Sequence, residues 1–83
     1  MNATVVWKPS AEAMLAHLWN TAPDQAAVAR AADAIDALLR RDPLGVGESR
    51  EGDMRLLVVF PLAVHYRVLE ADCLVRVLRV WRV

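Results

Sequence analysis

The C-terminal stretch of the chain, residues 54–83, constrains the fold most, because it predicts three consecutive β-strands. Each run is rich in aliphatic and β-branched residues and is bounded by turn formers, Pro61 and the segment 70–72. Connections this short favour hairpins, so we expect an antiparallel meander. The predicted strands cover residues 54–60, 63–69 and 73–81.

The first half of the chain predicts one strand and two helices, over residues 3–7, 11–20 and 23–41 respectively. Pro9 ends the strand, because proline cannot donate a hydrogen bond to a ladder. Ser10 is the predicted N-cap of the first helix, and Thr21 that of the second. Pro43 stops the second helix, and residues 44–53 form a loop that contains three glycines.

The order of elements, β-α-α-β-β-β, predicts an α+β fold in a single domain, residues 1–83. The first strand must join the sheet, because an isolated strand leaves its backbone groups unpaired. We therefore expect an antiparallel four-stranded sheet with two helices packed on one face. The other face stays open, so it must be polar or engaged by a partner.

Charge is unevenly distributed along a chain whose 10 basic and 10 acidic residues give no net charge. Residues 54–83 carry five arginines and two acids, a net of +3. Residues 1–53 carry five basic and eight acidic side chains, a net of −3. Acidic helices and a basic sheet point to an anionic partner on the sheet side.

The single cysteine, Cys73, excludes an internal disulfide and is expected to be a buried strand residue. It belongs to no zinc motif, and we expect neither a metal nor a cofactor. The sequence shows no signal-peptide pattern and no apolar run of the roughly 20 residues that a membrane helix needs. A cytoplasmic protein without a membrane partner is expected.

Side chains alternate along a strand, so His65 and Arg67 share one face of the second C-terminal strand. Arginines can neutralise phosphates, Trp81 can stack on a base, and His65 can transfer protons near neutral pH. The residues predicted to bind a partner are Arg55, His65, Arg67, Arg79, Trp81 and Arg82, of which His65, Arg67 and Arg79 are the catalytic candidates.

Two points stay open at this level. Both alternating sets of the last strand are mixed, so the pattern does not assign Arg76 and Arg79 to a face. In the alternative to a binding surface, Trp81 belongs to the core and the strand arginines pair with nearby acids, namely Glu48, Glu51 or Glu70.

Several segments in this order resemble the RelE/ParE superfamily of small bacterial toxins, which includes plasmid stabilisation proteins. They are VVWKPSA (residues 5–11), LLRRDP (38–43), GESREGDMR (47–55) and PLAVHYRV (61–68), followed by the valine-rich last strand. The resemblance covers nearly the full chain. It implies the β-α-α-β-β-β fold and a cognate antitoxin whose tail wraps the toxin, with messenger RNA in the ribosomal A site or DNA gyrase as the target.

The chain departs from the pattern of RelE-like ribonucleases. These ribonucleases have a strand tyrosine that matches Tyr66 and an arginine shortly before it, at a position where this chain has Ala63. They have a second arginine near the position of Val83. A tyrosine follows on a C-terminal extension, and this sequence ends before it. The candidates to substitute are Arg67, Arg79 and Arg82, whereas ParE-like members need no such set.

The resemblance thus predicts the toxin of a type II toxin–antitoxin system, which inhibits growth by binding a core bacterial target and is neutralised by a cognate antitoxin. The alternatives are a ribosome-dependent messenger RNA endoribonuclease with a non-standard active site, and a solitary, non-toxic family member. The expected partners are the antitoxin and either DNA gyrase or the ribosome with its messenger RNA. Self-association into a homo-oligomer is also open.

Overall fold

The computed structural model describes residues 2–83, which form two helices and a five-stranded sheet. The α+β class and the predicted order of helices and long strands are confirmed. The elements are β1 (Thr4–Trp7), α1 (Pro9–Thr21), α2 (Gln25–Arg41), β2 (Glu48–Ser49), β3 (Met54–Val59), β4 (Leu62–Leu69) and β5 (Leu74–Arg82). Within residues 2–83, no helix combines the length and apolar character needed to cross a membrane.

The sheet order is β1-β5-β4-β3-β2, and it differs from the predicted sheet in two respects. A short strand, β2, forms within the predicted loop and pairs with β3. In addition, β1 runs parallel to β5, so the sheet is mixed rather than antiparallel. No hairpin sets the direction of β1, because two helices separate it from the next strand.

The hydrophobic core lies between the two helices and one face of the sheet. Val28, Ile35 and Leu39 of α2 are at most 1% exposed and form the buried face of this helix. They belong to one cluster with buried residues of the central strands, namely Leu62, Val64, Tyr66, Val75 and Val77. Because these residues share the helix side of the sheet, the opposite side carries the side chains that alternate with them.

The helix caps differ from the predicted ones. The N-cap of α2 is Asp24, whose carboxylate accepts a hydrogen bond of 3.0 Å from the Ala27 amide. Thr21 is instead the last residue of α1, and its hydroxyl donates to the His17 carbonyl. Ser10 lies inside α1, which begins one residue earlier because proline is well suited to the first helical position.

Cys73 is exposed, so its predicted burial is wrong. It follows a single 3₁₀ turn, Glu70–Asp72, and its amide donates to the Glu70 carbonyl at 3.1 Å. Its backbone is left-handed, with a φ of 48°. The residue therefore closes the turn before β5 begins, and its carbonyl oxygen accepts a hydrogen bond of 2.9 Å from the Thr4 amide of β1.

The ladder between β4 and β5 contains a β-bulge. His65 pairs with Arg79, and the next residue of β4, Tyr66, pairs with Val77. Leu78 is therefore an extra residue in β5. Such an insertion shifts the side-chain alternation by one position. Two residues of β5 that are separated by an odd number of positions across the bulge therefore share a face of the sheet.

Candidate binding surface on the open sheet face

We call the side of the sheet opposite the helices the open face. The register places on it His65 and Arg67 of β4, Arg76, Arg79 and Trp81 of β5, and Glu48 of β2. The bulge decides the facing of the last strand, which the sequence pattern left open. Arg76 pairs with Arg67 and Arg79 pairs with His65, so both arginines lie on the open face.

Three predicted site residues form a contact cluster there. The rings of His65 and Trp81 meet edge to face, with centroids 4.8 Å apart and an interplanar angle of 67°. The guanidinium carbon of Arg79 lies 5.9 Å from the centroid of the Trp81 ring, within cation–π range. The sequence prediction that these three residues act together is thus compatible with their arrangement, and Trp81 lies outside the helix-side core.

The surroundings of His65 favour its neutral form. Partial burial lowers the pKa of His65 below its ordinary value, and the nearby charges of Arg79 and, to a lesser extent, Arg50 lower it further. The imidazole therefore keeps one nitrogen free to accept a proton or a hydrogen bond at neutral pH. This is the protonation state that a general base requires.

Arg67 is also on the open face, but it is paired with an acid. Its Nε lies 3.0 Å from Oδ1 of Asp53, and the two side chains are 44% and 71% exposed. A pair exposed to this extent contributes little to stability, about 0–1 kcal/mol. An anionic partner could therefore displace Asp53 at small cost.

Arg76 and Arg79 supply the unneutralised charge of this face. Within residues 2–83, no carboxylate lies within ion-pair distance of either guanidinium. Glu48, one of the acids predicted to pair with the strand arginines, lies 3.4 Å from Arg50 instead. The structure therefore favours a basic surface over a set of internally paired arginines.

The prediction that Arg55 belongs to this surface is wrong. Arg55 pairs with Tyr66 in the β3–β4 ladder, and Tyr66 is fully buried on the helix side. The guanidinium contacts the Tyr66 hydroxyl and the loop that leads into β2. Leu57, two residues along the same strand, is 7% exposed and lies on the same side as Arg55. The sequence did not reveal this facing, because both alternating sets of the strand are otherwise apolar.

Arg82 is also separated from the cluster. It pairs with Leu62, which is fully buried on the helix side of β4. Together with Phe60 and Asp24 it lines a cavity of about 300 Å³ between the start of α2 and the β3–β4 turn. The structure thus brings together four of the six predicted residues, His65, Arg67, Arg79 and Trp81.

An apolar groove beside the cluster was not predicted. A cavity of about 330 Å³ runs between α1 and β5 and is lined by Ser10, Met14 and Leu18 from the helix and by Leu78, Arg79 and Trp81 from the strand, among others. We call it the α1–β5 groove. Sequence reasoning missed it, because only the tertiary packing of the helix on the last strand creates it.

Comparison with solved structures identifies the architecture. The chain superposes on a chain of the RelBE2 toxin–antitoxin complex from Mycobacterium tuberculosis with a TM-score of 0.82, covering 100% of both chains at 23% sequence identity. It superposes on a chain of the chromosomal ParDE toxin–antitoxin system from P. aeruginosa with a TM-score of 0.73 at 20% identity, covering 98% of this chain and 96% of the other. The chain has a RelE/ParE-like fold. By sequence, neither a protein-family model nor a curated protein matches it.

The two matches cover 100% and 98% of this chain, so the shared fold includes the sheet and both helices. At these identities the likeness concerns the fold, and function must be argued from the surface itself. The features on which such an argument rests are the cluster of His65, Arg79 and Trp81, the unpaired Arg76, and the α1–β5 groove.

Proposed function

We propose that this protein is the toxin of a type II toxin–antitoxin system, active in the cytoplasm, and that its antitoxin covers the open face. The observation that carries the proposal is the unneutralised charge of Arg76 and of Arg79, the latter beside Trp81. It lies on a fold shared over nearly its full length with chains of two toxin–antitoxin assemblies. A surface with this charge suits a partner that supplies carboxylates.

The α1–β5 groove is suited to bind an extended segment of the antitoxin rather than a single side chain. Met14 is 45% exposed, and the groove ends at Arg79 and Trp81. An antitoxin segment that carries apolar residues beside acidic ones can fill the groove and neutralise the adjacent arginines in one continuous interface. Bound in this way, it also occludes the open face from any other ligand.

We propose that the toxin acts by binding a core bacterial target such as DNA gyrase. The arginines of RelE-like ribonucleases fall at Ala63 and near Val83 in this chain, so a catalytic set of that type is incomplete. A toxin that inhibits by binding needs no such set. It needs an exposed, complementary surface, which the open face supplies.

A specific observation favours a second candidate, ribosome-dependent cleavage of messenger RNA. His65 is neutral near pH 7 and lies beside Arg79 and Trp81. In such a reaction His65 would take the proton of a ribose 2′-hydroxyl as its oxygen attacks the adjacent phosphorus. The bond from phosphorus to the 5′-oxygen would break, leaving a 2′,3′-cyclic phosphate and a 5′-hydroxyl, whose oxygen takes its proton from the His65 imidazolium or from water. Arg79 would neutralise the charge that develops on the phosphate, and Trp81 would stack a base.

Induced expression in a bacterial host, with growth, protein synthesis and plasmid supercoiling followed together, separates the candidates. Growth arrest with relaxed DNA and continuing early translation supports a gyrase-directed toxin. Arrest with immediate loss of translation supports the ribonuclease, and in that case His65→Ala and Arg79→Ala should each abolish messenger cleavage. Normal growth at high expression refutes both and supports a solitary, non-toxic protein.

A further inference from the structure

We propose that Arg55 and Tyr66 are positioning residues that hold β2 in the sheet and thereby set Glu48 and Arg50 at the rim of the open face. This inference rests on the proposed function only in so far as the open face is taken as the binding surface. The two positioning residues themselves lie on the opposite side of the sheet, where no ligand of the open face touches them.

The guanidinium of Arg55 binds the segment that leads into β2. Its Nη1 donates to Oγ of Ser49 at 3.0 Å, and its Nη2 donates to the carbonyl oxygen of Leu44 at 2.9 Å. The same Nη2 lies 3.4 Å from the carbonyl oxygens of Val46 and Gly47. A planar group with several donors is suited to collect carbonyls in this way, and lysine lacks the required geometry.

The Tyr66 hydroxyl binds the same segment from the core. It lies 2.8 Å from the Pro43 carbonyl oxygen and 2.9 Å from that of Val46, and it accepts from Nε of Arg55 at 3.3 Å. Tyr66 is fully buried, so these are the partners that satisfy its hydroxyl. Loss of the hydroxyl would remove a link between the core and the segment before β2.

Gly47 shows how closely the chain must pass these groups. Its φ is +69°, and a Cβ at this position would lie 2.6 Å from the Leu56 carbonyl oxygen and 2.7 Å from the Tyr66 hydroxyl. No side chain fits between backbone and ring at those distances. The segment is therefore held against β3 and Tyr66 rather than passing over them.

The strand that these contacts hold is too short to be secured by its own ladder. It has two residues, with Glu48 opposite Leu56 and Ser49 opposite Arg55. Beyond it, the Arg50 amide donates to the Met54 carbonyl at 2.7 Å. A two-residue edge strand has few hydrogen bonds of its own, so the contacts with Arg55 and Tyr66 outside the ladder contribute to holding it.

The position of β2 determines which charges surround His65. Glu48 shares the face of Leu56, and Leu56 pairs with His65 in the next ladder. Arg50 lies 3.4 Å from Glu48 and contributes to the lowered pKa of His65. The charged groups nearest to this part of the sheet include Glu48 and Arg50 at β2, Asp53 before β3, Arg67 on β4, and Arg76 and Arg79 on β5.

The test uses two variants and two readouts that do not depend on toxicity. In Tyr66→Phe and in Arg55→Met, the Arg50 amide should exchange about tenfold faster or more than in the wild type when followed by NMR hydrogen exchange. The reason is that β2 would detach from β3 by local opening, without global unfolding. Amides in the middle of α2 should keep their protection, and the pKa of His65 should rise towards its ordinary value as Arg50 moves away. Arg30→Met, a matched change at an exposed arginine of α2, should alter neither readout.

Unchanged exchange at Arg50 together with an unchanged His65 pKa in both variants would overturn the inference. If Arg55→Met fails to fold, Tyr66→Phe decides, because it keeps the buried ring and removes only the hydroxyl. Growth arrest by the wild-type protein is a separate question. Its absence would refute the proposed toxin function while leaving the positioning of β2 by Arg55 and Tyr66 intact.

Discussion

Replacing Gly47 by alanine should destabilise the protein far more than the same change at Gly52. Both glycines have left-handed backbones, with φ values of +69° and +66°. A non-glycine residue in that conformation costs about 1–2 kcal/mol, so this contribution is common to both substitutions. The surroundings differ, because an added Cβ at Gly52 meets nothing within 4 Å.

At Gly47 the added Cβ meets the Leu56 backbone and the buried Tyr66 hydroxyl at 2.6 and 2.7 Å. Neither atom belongs to the flexible end of an exposed side chain, so the loop must move. Overpacking of this kind costs about 1–3 kcal/mol beyond the backbone contribution. We therefore expect Gly47→Ala to lower the free energy of unfolding by about 2–5 kcal/mol and Gly52→Ala by about 1–2 kcal/mol.

Urea unfolding followed by circular dichroism measures both free energies, provided that the transition is two-state. The comparison within one assay removes most of the extrapolation error. Equal losses, within about 0.5 kcal/mol, would show that the segment before β2 is not held against Tyr66 as described.

Three further predictions concern the core, the cluster and the α2 cap. Leu39→Ala should cost about 2–5 kcal/mol in urea unfolding, because Leu39 is fully buried, whereas the half-buried Leu38 should cost less when truncated. Arg79→Gln should raise the pKa of His65 in an NMR titration, because it removes a nearby positive charge that disfavours the imidazolium. Asp24→Ala should cost about 1 kcal/mol of stability, because it removes the cap of α2.

Sequence periodicity was sufficient for the long elements and their packing. The predicted range 54–60 corresponds to β3, and the predicted helix 23–41 corresponds to α2. These elements follow patterns that repeat several times, so the signal accumulates. The strand β2 has two residues and no period, so the sequence predicts a loop at its position.

The candidate site was harder to predict, because facing depends on pairing between strands. The extra residue Leu78 shifts the alternation of β5, and nothing within that strand's own sequence marks the insertion. Arg55 carries the charge of a surface residue but uses it on backbone carbonyls inside the fold. Its role becomes visible only when the register opposite Tyr66 is known.

The growth of cells that express the wild-type protein, the double variant Arg76→Glu/Arg79→Glu, or the control Arg30→Glu tests the central claim most directly. All three proteins must first be shown to fold by circular dichroism. The account predicts that wild type and Arg30→Glu arrest growth and that the double variant does not, because its open face has reversed charge. Equal arrest by the double variant and the wild type would contradict the account, as would normal growth with the wild-type protein.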